Sequence, residues 1–241
     1  MKLEEMTWYE VQAYLKRSCG IILPTGSVEQ HGPLGLIGTD AICAREIAWA
    51  AARICDAIVA PEISYAPAQF NMGFPGTISL NPKVYNCMVS NILKSLEHHR
   101  FERIYILNGH GGNLEILRHI ADSMGKIVRI KSWWDFEGVK ELRDQFYGDW
   151  EGMHATPSEV SITQHTHRIV RIDGLSPPKK LSAEYIAAHS GDKHGPPDAH
   201  RKSFPDGRVG SHSSLANPKH GTELLVAAAH AVAEDYLKFL H

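Results

Sequence analysis

The sequence predicts an α/β fold, a three-layer sandwich with a mainly parallel central sheet flanked by helices. Three observations support this prediction. Short runs rich in β-branched residues are suited to buried strands, helical patterns lie between these runs, and the joints are short. Strands and helices that alternate in this way are typical of a parallel sheet that is covered on both faces.

The predicted strands and helices alternate through the first half of the chain. The strands are the runs at 20–24, 57–60, 103–108 and 126–130. The helix predicted at 40–54 is rich in alanine. The helix predicted at 81–100 begins with Asn81 as its cap and Pro82 at the first helical position. A third helix is predicted at about 112–125.

Beyond about residue 137 the alternation of strand-like and helical segments is less regular. We predict a helix at about 157–168, a strand-like segment at 168–172, a polar loop at 189–214 and a closing helix within 217–240. The sequence contains no repeat, flexible linker or change of composition large enough to divide it. We therefore expect residues 1–241 to form a single domain.

The composition argues against several classes of protein. With 25 basic and 27 acidic residues, the chain has a formal net charge of −2 and offers no basic stripe to nucleic acid or anionic lipid. Its first residues lack the apolar region of a secretory signal, and no run approaches the roughly 18 apolar residues of a membrane span. Cys19, Cys43, Cys55 and Cys87 lack CxxC pairing and predict reduced core thiols. We expect a cytoplasmic protein with neither nucleic acid nor membrane as a partner.

Side chains suited to metal binding lie where ligands of parallel sheets usually bind, beyond the carboxyl ends of the strands. Two of them follow the first strand and are two residues apart, so they project to one side of an extended stretch. A third begins the next helix, a fourth follows the strand at 103–108, and two more lie in the segment HATPSEVS. These candidates are Glu29, His31, Asp40, His110, His154 and Glu159.

The residue types of these candidates favour a catalytic metal site. Imidazole and carboxylate groups suit zinc, manganese or ferrous iron, and the lack of thiolates argues against a structural zinc–cysteine site. A carboxylate can also bridge two cations roughly 3.5 to 4 Å apart, which together activate water and polarise a carbonyl. Taken singly, Asp40 is equally suited to cap a helix and Glu29 to be a solvated loop acid. The prediction therefore depends on the shared position of the candidates.

Most of the 15 histidines need no functional explanation. Several of them lie on a predicted helix end or in the polar loop, where we expect solvation. These are His98, His99, His189, His194 and His200.

Several stretches resemble the creatininase family of metal-dependent amidohydrolases. LPTGSVEQHGPLGLIGTD (23–40), FPGTISL (74–80), LNGHGGN (107–113), HATPSEVS (154–161) and GRVGSHSSLANPKHG (207–221) occur in the order and approximate spacing of that family. The resemblance spans about residues 20–225. It implies a creatininase-like sandwich, two divalent metal ions per chain (zinc, manganese or iron), and a ring-like homo-oligomer, often a hexamer. It also implies hydrolysis of an amide or cyclic amide C–N bond in a small molecule.

The resemblance implies a role for each candidate. The implied metal ligands are Glu29 and His110 for one ion, His31 for the other, and Asp40 as the bridge between them. Glu159 matches a later acid that serves as a ligand of the second ion or as a proton shuttle. His154 matches a residue beside the substrate. The implied reaction is attack of a metal-activated water on the carbonyl, with a general acid that protonates the leaving nitrogen.

The chain also departs from the family pattern. Leu34 and Asn71 stand where the family commonly has histidines, and Gly112 stands where creatininase itself has a glutamate. Thr156 and Pro157 replace a glycine and a glutamate. We therefore expect a substrate other than creatinine.

Two further motifs have open interpretations. Trp133 and Trp134 follow the fourth predicted strand, and because neighbours on a strand face opposite sides, at most one should line the pocket. Gly76 and Thr77 either shape the pocket floor or form a turn that leads into the next helix.

Rival functions remain open at this level. Within the family, the rivals are a peptidase, a deformylase or a hydrolase of carbon–carbon bonds. Outside hydrolases, the chain could be a metal-binding module without catalysis. A nucleotide-binding oxidoreductase is disfavoured because GHGGN lacks the GxGxxG spacing.

Overall fold

A parallel sheet forms the centre of the computed structural model, which describes residues 1–191 and 193–241. The described strands are β1 (Gly20–Thr25), β2 (Ile58–Val59), β3 (Arg103–Asn108) and β4 (Val128–Ser132). They lie in the order β2-β1-β3-β4, and all neighbours are parallel. Thr25 pairs with Asn108, and Asn108 with Ser132. The carboxyl ends of β1, β3 and β4 therefore meet at one edge of the sheet.

Helices cover both faces of this sheet. The described helices are α1 (Trp8–Tyr14), α2 (Thr39–Cys55), α3 (Pro82–His98), α4 (Leu114–Met124), α5 (Glu137–Tyr147), α6 (Pro157–Thr166), α7 (Ala183–His189), α8 (Pro197–Ser203) and α9 (Pro218–Leu240). Two of the longest begin with a proline that follows an asparagine cap, at Asn81 and at Asn217. None of the helices in the described residues is long and apolar enough to cross a bilayer.

Side-chain alternation along β1 divides the core into two layers. Ile21 and Leu23 face the layer formed by α1, α3 and α4, whereas Ile22 faces α2, α5, α6 and α9. All three side chains are at most 1% exposed. A strand that is buried on both faces reads as an unbroken apolar run, as the sequence does here. The predicted three-layer α/β sandwich is therefore confirmed.

Several local predictions are wrong. Residues 168–172 form no strand, and Ile169 and Ile172 are 43% and 48% exposed, because no described strand pairs with this segment. The expected polar loop at 189–214 contains α8, and α1, α5 and α7 had no predicted counterpart. The four cysteines are free thiols, but Cys43 is buried and Cys87 is exposed, so they are not all core residues.

Gly109 follows β3 directly and lies so close to the start of α2 that there is no room for a side chain. A Cβ at Gly109 would overlap the carbonyl oxygen of Asp40 at the start of α2. We expect Gly109→Ala to lower the free energy of unfolding by about 1–3 kcal/mol, because the strand end and the helix must move apart. Urea denaturation measures this change. Gly138→Ala is the control, since a Cβ there has nothing within 4 Å, and an equal loss in both variants would contradict the explanation.

Candidate metal centre

Six buried polar side chains converge beyond the carboxyl ends of β1 and β3. They come from the loop after β1, the start of α2, the loop after β3 and the segment that enters α6. Their exposed fractions lie between 0 and 8%. The set consists of Glu29, His31, Asp40, His110, His154 and Glu159. The structure therefore brings together all six candidates that the sequence predicts.

Asp40 lies between two imidazoles. Its Oδ1 is 2.9 Å from Nε2 of His31, and its Oδ2 is 3.0 Å from Nδ1 of His110. Ser27 Oγ donates a hydrogen bond of 2.8 Å to Oδ2. Asp40 lies within the first turn of α2, whose N-cap is Gly38, so its carboxylate faces the histidines and does not cap the helix. Each oxygen of the Asp40 carboxylate thus faces a different imidazole.

Glu29 reaches the same place from the loop after β1. Its Oε1 is 3.3 Å from Nδ1 of His110 and 3.6 Å from Nδ1 of His154. The residue is 0% exposed, which rules out the solvated loop acid that its sequence context also allowed. A carboxylate buried to this degree needs a cationic partner, because transfer of an isolated charge from water is costly.

Glu159 enters the site from the first turn of α6. Its Oε1 is 3.8 Å from Nε2 of His31. The Thr156 N–H donates to Glu159 Oε1, and the Glu159 N–H donates to Thr156 Oγ1, so the two residues form a capping box. Pro157 takes the first helical position, where its missing N–H costs nothing. The two hydrogen bonds with Thr156 thus fix the position of Glu159.

Backbone carbonyls orient the three imidazoles. One ring nitrogen of each histidine makes a hydrogen bond to a carbonyl oxygen, and the other faces the carboxylates. The pairs are His31 Nδ1 with Glu29 O (3.0 Å), His110 Nε2 with Pro67 O (2.8 Å) and His154 Nε2 with Gln30 O (2.7 Å). This arrangement fixes the tautomer of a neutral ring and is typical of metal-binding histidines.

The donor atoms form three overlapping groups that fit metal ions. Within each group, the atoms lie within 4.8 Å of one another. The groups are Glu29, Asp40 and His110; His31, Asp40 and Glu159; and Glu29, His31 and His154. Asp40 belongs to the first two groups, so the residues present fit a pair of neighbouring divalent cations bound through nitrogen and oxygen.

The site holds a dense arrangement of opposite charges. Burial opposes a charged imidazole, but Asp40, Glu159 and Glu29 outweigh this effect and raise the pKa of His31 to about 10. Burial alone would raise the pKa of Asp40, but the His31 and His110 rings hold that pKa well below its usual range. Burial raises the pKa of Glu159 to about 7, although His31 partly offsets it. Without bound metal, a proton on His31 thus offsets part of the negative charge of these carboxylates. Bound divalent cations would offset the same charge.

A cavity of about 320 Å³ is lined by four of the six candidates, Asp40, His110, His154 and Glu159. Trp133 and Trp134 both line it, so the prediction that at most one would do so is wrong. The reason is that β4 ends at Ser132, and both tryptophans lie in a 3-10 turn where strand alternation does not apply. Gly76 and Thr77 are absent from the described lining; Thr77 Oγ1 accepts a hydrogen bond from the Gln30 N–H, as expected of a structural turn.

Other parts of the pocket region were not found from the sequence. His194 and His200 are 8% and 2% exposed and pack against Phe70, so the expectation that they are solvated is wrong. His98 and His99 are exposed, as expected. His200 lies on α8, which packs against the 3-10 turn at Gln69–Gly73, and the local sequence gives no periodic signal for this packing. Asn71, at a position where the family commonly has a histidine, places its amide 3.2 Å from His154 Nε2.

Known proteins resemble the chain over much of its length. The profile of the creatininase family, described as creatinine amidohydrolase, matches residues 4–236. Creatinine amidohydrolase of Pseudomonas putida is 28% identical over 179 residues, which are 66% of this chain and 68% of that protein. Mycofactocin precursor peptide peptidase of Mycolicibacterium smegmatis is 35% identical over 103 residues, 40% of this chain and 41% of that one. A third relative, 3-dehydro-scyllo-inosose hydrolase of Thermotoga maritima, is 28% identical over 109 residues, 45% and 35% of the two chains.

Solved structures share the fold. A crystal structure of creatinine amidohydrolase superimposes with a TM-score of 0.78 and 20% identity, and covers 99% of this chain and 97% of that one. A structure described as creatininase Mn gives a TM-score of 0.75 and 22% identity, with 99% and 98% covered. The creatininase-like form of the α/β sandwich is therefore confirmed.

Proposed function

The chain belongs to the creatininase family, and from this premise we propose that it is a metal-dependent hydrolase that cleaves the C–N bond of an amide or cyclic amide in a small molecule. The single observation that carries the proposal is the placement of Asp40 between His31 and His110, with Glu29 and Glu159 beside them. Two divalent cations, zinc, manganese or iron, would supply a water of lowered pKa and polarise the substrate carbonyl.

We assign the metal ligands from the overlapping groups of donor atoms. Glu29 and His110 would hold one ion, His31 and Glu159 the other, and Asp40 both. The shared carboxylate explains why two loops distant in sequence meet at the start of one helix. The hydrogen bonds from the histidines to backbone carbonyls support this assignment, because they leave the inward nitrogens as acceptors.

Glu159 and His154 are the proposed catalytic residues. As the alternative to its role as a metal ligand, Glu159 would carry a proton to the leaving nitrogen; without a bound cation, burial raises its pKa to about 7. His154 would contact the substrate from the side of Glu29. Its Nε2 lies 2.7 Å from the Gln30 carbonyl oxygen and 3.2 Å from the Asn71 amide nitrogen, and its Nδ1 is 3.6 Å from Glu29 Oε1.

A second candidate function is peptide hydrolysis. The mycofactocin precursor peptide peptidase relative supports it, and the inosose hydrolase relative supports a third reaction within the same family. Creatinine itself is disfavoured. A Cβ at Gly112 would lie 2.6 Å from Nε2 of His110, so this chain has no room there for the glutamate of creatininase without a shift of the His110 ring.

We also propose, from the family resemblance, that the protein is a cytoplasmic homo-oligomer, with a hexamer as the expected form. Residues 1–241 are proposed to act as one domain. Size-exclusion chromatography with light scattering measures the number of subunits.

Metal content and turnover test the proposed function together. Protein purified without chelator should contain about two equivalents of zinc, manganese or iron per chain. We expect the loaded protein to hydrolyse at least one compound from a panel of cyclic amides, formamides and short peptides. A wild-type protein that binds no transition metal would contradict the proposal, and a loaded site without turnover would favour a metal-binding module.

A further inference from the structure

Arg143 brings a positive charge to the wall of the cavity that opens onto the metal centre. It projects from α5 and lines the cavity together with Trp133 and Trp134. Among the described residues that line this cavity, it is the only lysine or arginine. No part of the proposed hydrolysis uses this side chain.

The guanidinium is held through two of its three nitrogens. Its Nε donates to Glu151 Oε1 at 2.9 Å, and its Nη1 donates to the Trp134 carbonyl at 3.4 Å. The Ser158 hydroxyl donates to the same oxygen of Glu151. Glu151 is itself 8% exposed, so the pair is held in a fixed orientation.

The third nitrogen of the guanidinium, Nη2, is available to a ligand. Nη2 donates no hydrogen bond to the part of the chain that the structure describes, and the Arg143 side chain is 21% exposed. If residue 143 served only to pair with Glu151, one N–H donor would be enough, and a lysine could supply it. Arginine offers five donors in a planar fork that matches a carboxylate.

We propose that Arg143 binds a carboxylate group of the substrate, so that the preferred substrates are small amides that also carry a carboxylate. This inference rests on the proposed function, because the amide group must lie at the metal centre while the carboxylate reaches Arg143. The charges in the site favour a group with a single negative charge. Glu151 already balances part of the Arg143 charge, which favours a carboxylate over a dianionic phosphate as the partner of Arg143.

The test compares pairs of amides in which a carboxylate of one compound is replaced by a neutral amide of similar shape in the other. Malonamate, succinamate and glutaramate each carry one amide and one carboxylate, and malonamide, succinamide and glutaramide are their neutral counterparts. Calorimetric titration of manganese-loaded protein measures the affinity for each compound. We expect at least one acid to bind about tenfold or more tightly than its diamide, as a charge-assisted hydrogen bond to arginine provides. The chain length that gives the largest preference reports the spacing between the metal centre and Arg143.

Variants separate Arg143 from the metal ions as the carboxylate site. In Arg143→Gln the preference for the acid should disappear, and in Arg143→Lys, which keeps the ion pair with Glu151, it should fall several-fold. Lys140→Gln removes an exposed charge from the same helix and should keep the preference. Melting temperature and metal content check that each variant is folded and loaded. If Arg143→Gln does not fold, the comparison of Arg143→Lys with Lys140→Gln decides.

The two proposals can fail separately. Equal affinity for acids and diamides in the wild type, or a preference that persists in Arg143→Gln, would overturn the assignment of Arg143 even if neutral amides are hydrolysed. A preference that depends on Arg143 in a protein without turnover would support the binding site and contradict the proposed hydrolysis.

Discussion

Replacing Asp40 with asparagine is expected to remove both metal ions and to lower hydrolysis by at least about a thousandfold. The carboxylate is 2.9 Å from His31 and 3.0 Å from His110, and the proposed assignment makes it the one ligand that both ions share. An amide oxygen has no charge to offset two cations, and the bound ions contribute several kcal/mol of transition-state stabilisation. Metal analysis and turnover of the same preparation measure both effects.

A matched substitution controls for the loss of a carboxylate. Asp122 lies exposed on α4, so Asp122→Asn should keep the full metal content and the wild-type rate. An Asp40→Asn variant that retains two ions and wild-type turnover would show that Asp40 is not the bridge.

Removal of both metal ions is expected to lower the melting temperature by about 16–32 °C. A ligand that binds only the folded state at about a thousand times its dissociation constant stabilises that state by about 4 kcal/mol per site, and each kcal/mol corresponds to about 2–4 °C for a chain of this size. The direction follows from the three acids Glu29, Asp40 and Glu159, which are buried close together. Thermal unfolding followed by circular dichroism, with and without saturating zinc or manganese, measures the shift.

The source of this stabilisation can be checked with a variant. Asp40→Asn should gain much less from added metal than the wild type does. Identical melting temperatures for the loaded and chelated wild type would mean that the ions do not bind the folded state preferentially, and the proposed centre would then be wrong.

The layered fold was predictable because its strands are buried on both faces. Ile21, Ile22 and Leu23 form an unbroken apolar run, and the sheet has no solvent-facing side that would impose alternation. The segment 168–172 has similar residue types, but a strand needs a neighbour to accept its hydrogen bonds, and sequence patterns carry no information about that neighbour. The second strand was predicted at 57–60, but only Ile58 and Val59 pair with β1, because the length of a strand also depends on its neighbour.

The convergence of the candidate metal ligands was predictable in part from their positions in the sequence. Glu29, His31 and His110 all follow strand ends that parallel topology brings to one edge, and the structure bears out their proximity. The orientation of Glu159 was also readable in principle, because Thr156 and Glu159 have the spacing of a capping box. The position of Arg143 on the cavity wall could not be predicted from the sequence, because it depends on how α5 packs after the turn that contains Trp133 and Trp134.

The central claim is that two loops and the start of α2 hold a pair of cations bridged by Asp40. Anomalous diffraction from crystals of the loaded protein, collected at the absorption edge of the bound metal, tests it most directly. We expect two peaks about 3.5 to 4 Å apart, with Asp40 in contact with both. A single peak, peaks elsewhere, or His31 and His110 turned away from each other with solvent between them would contradict the claim.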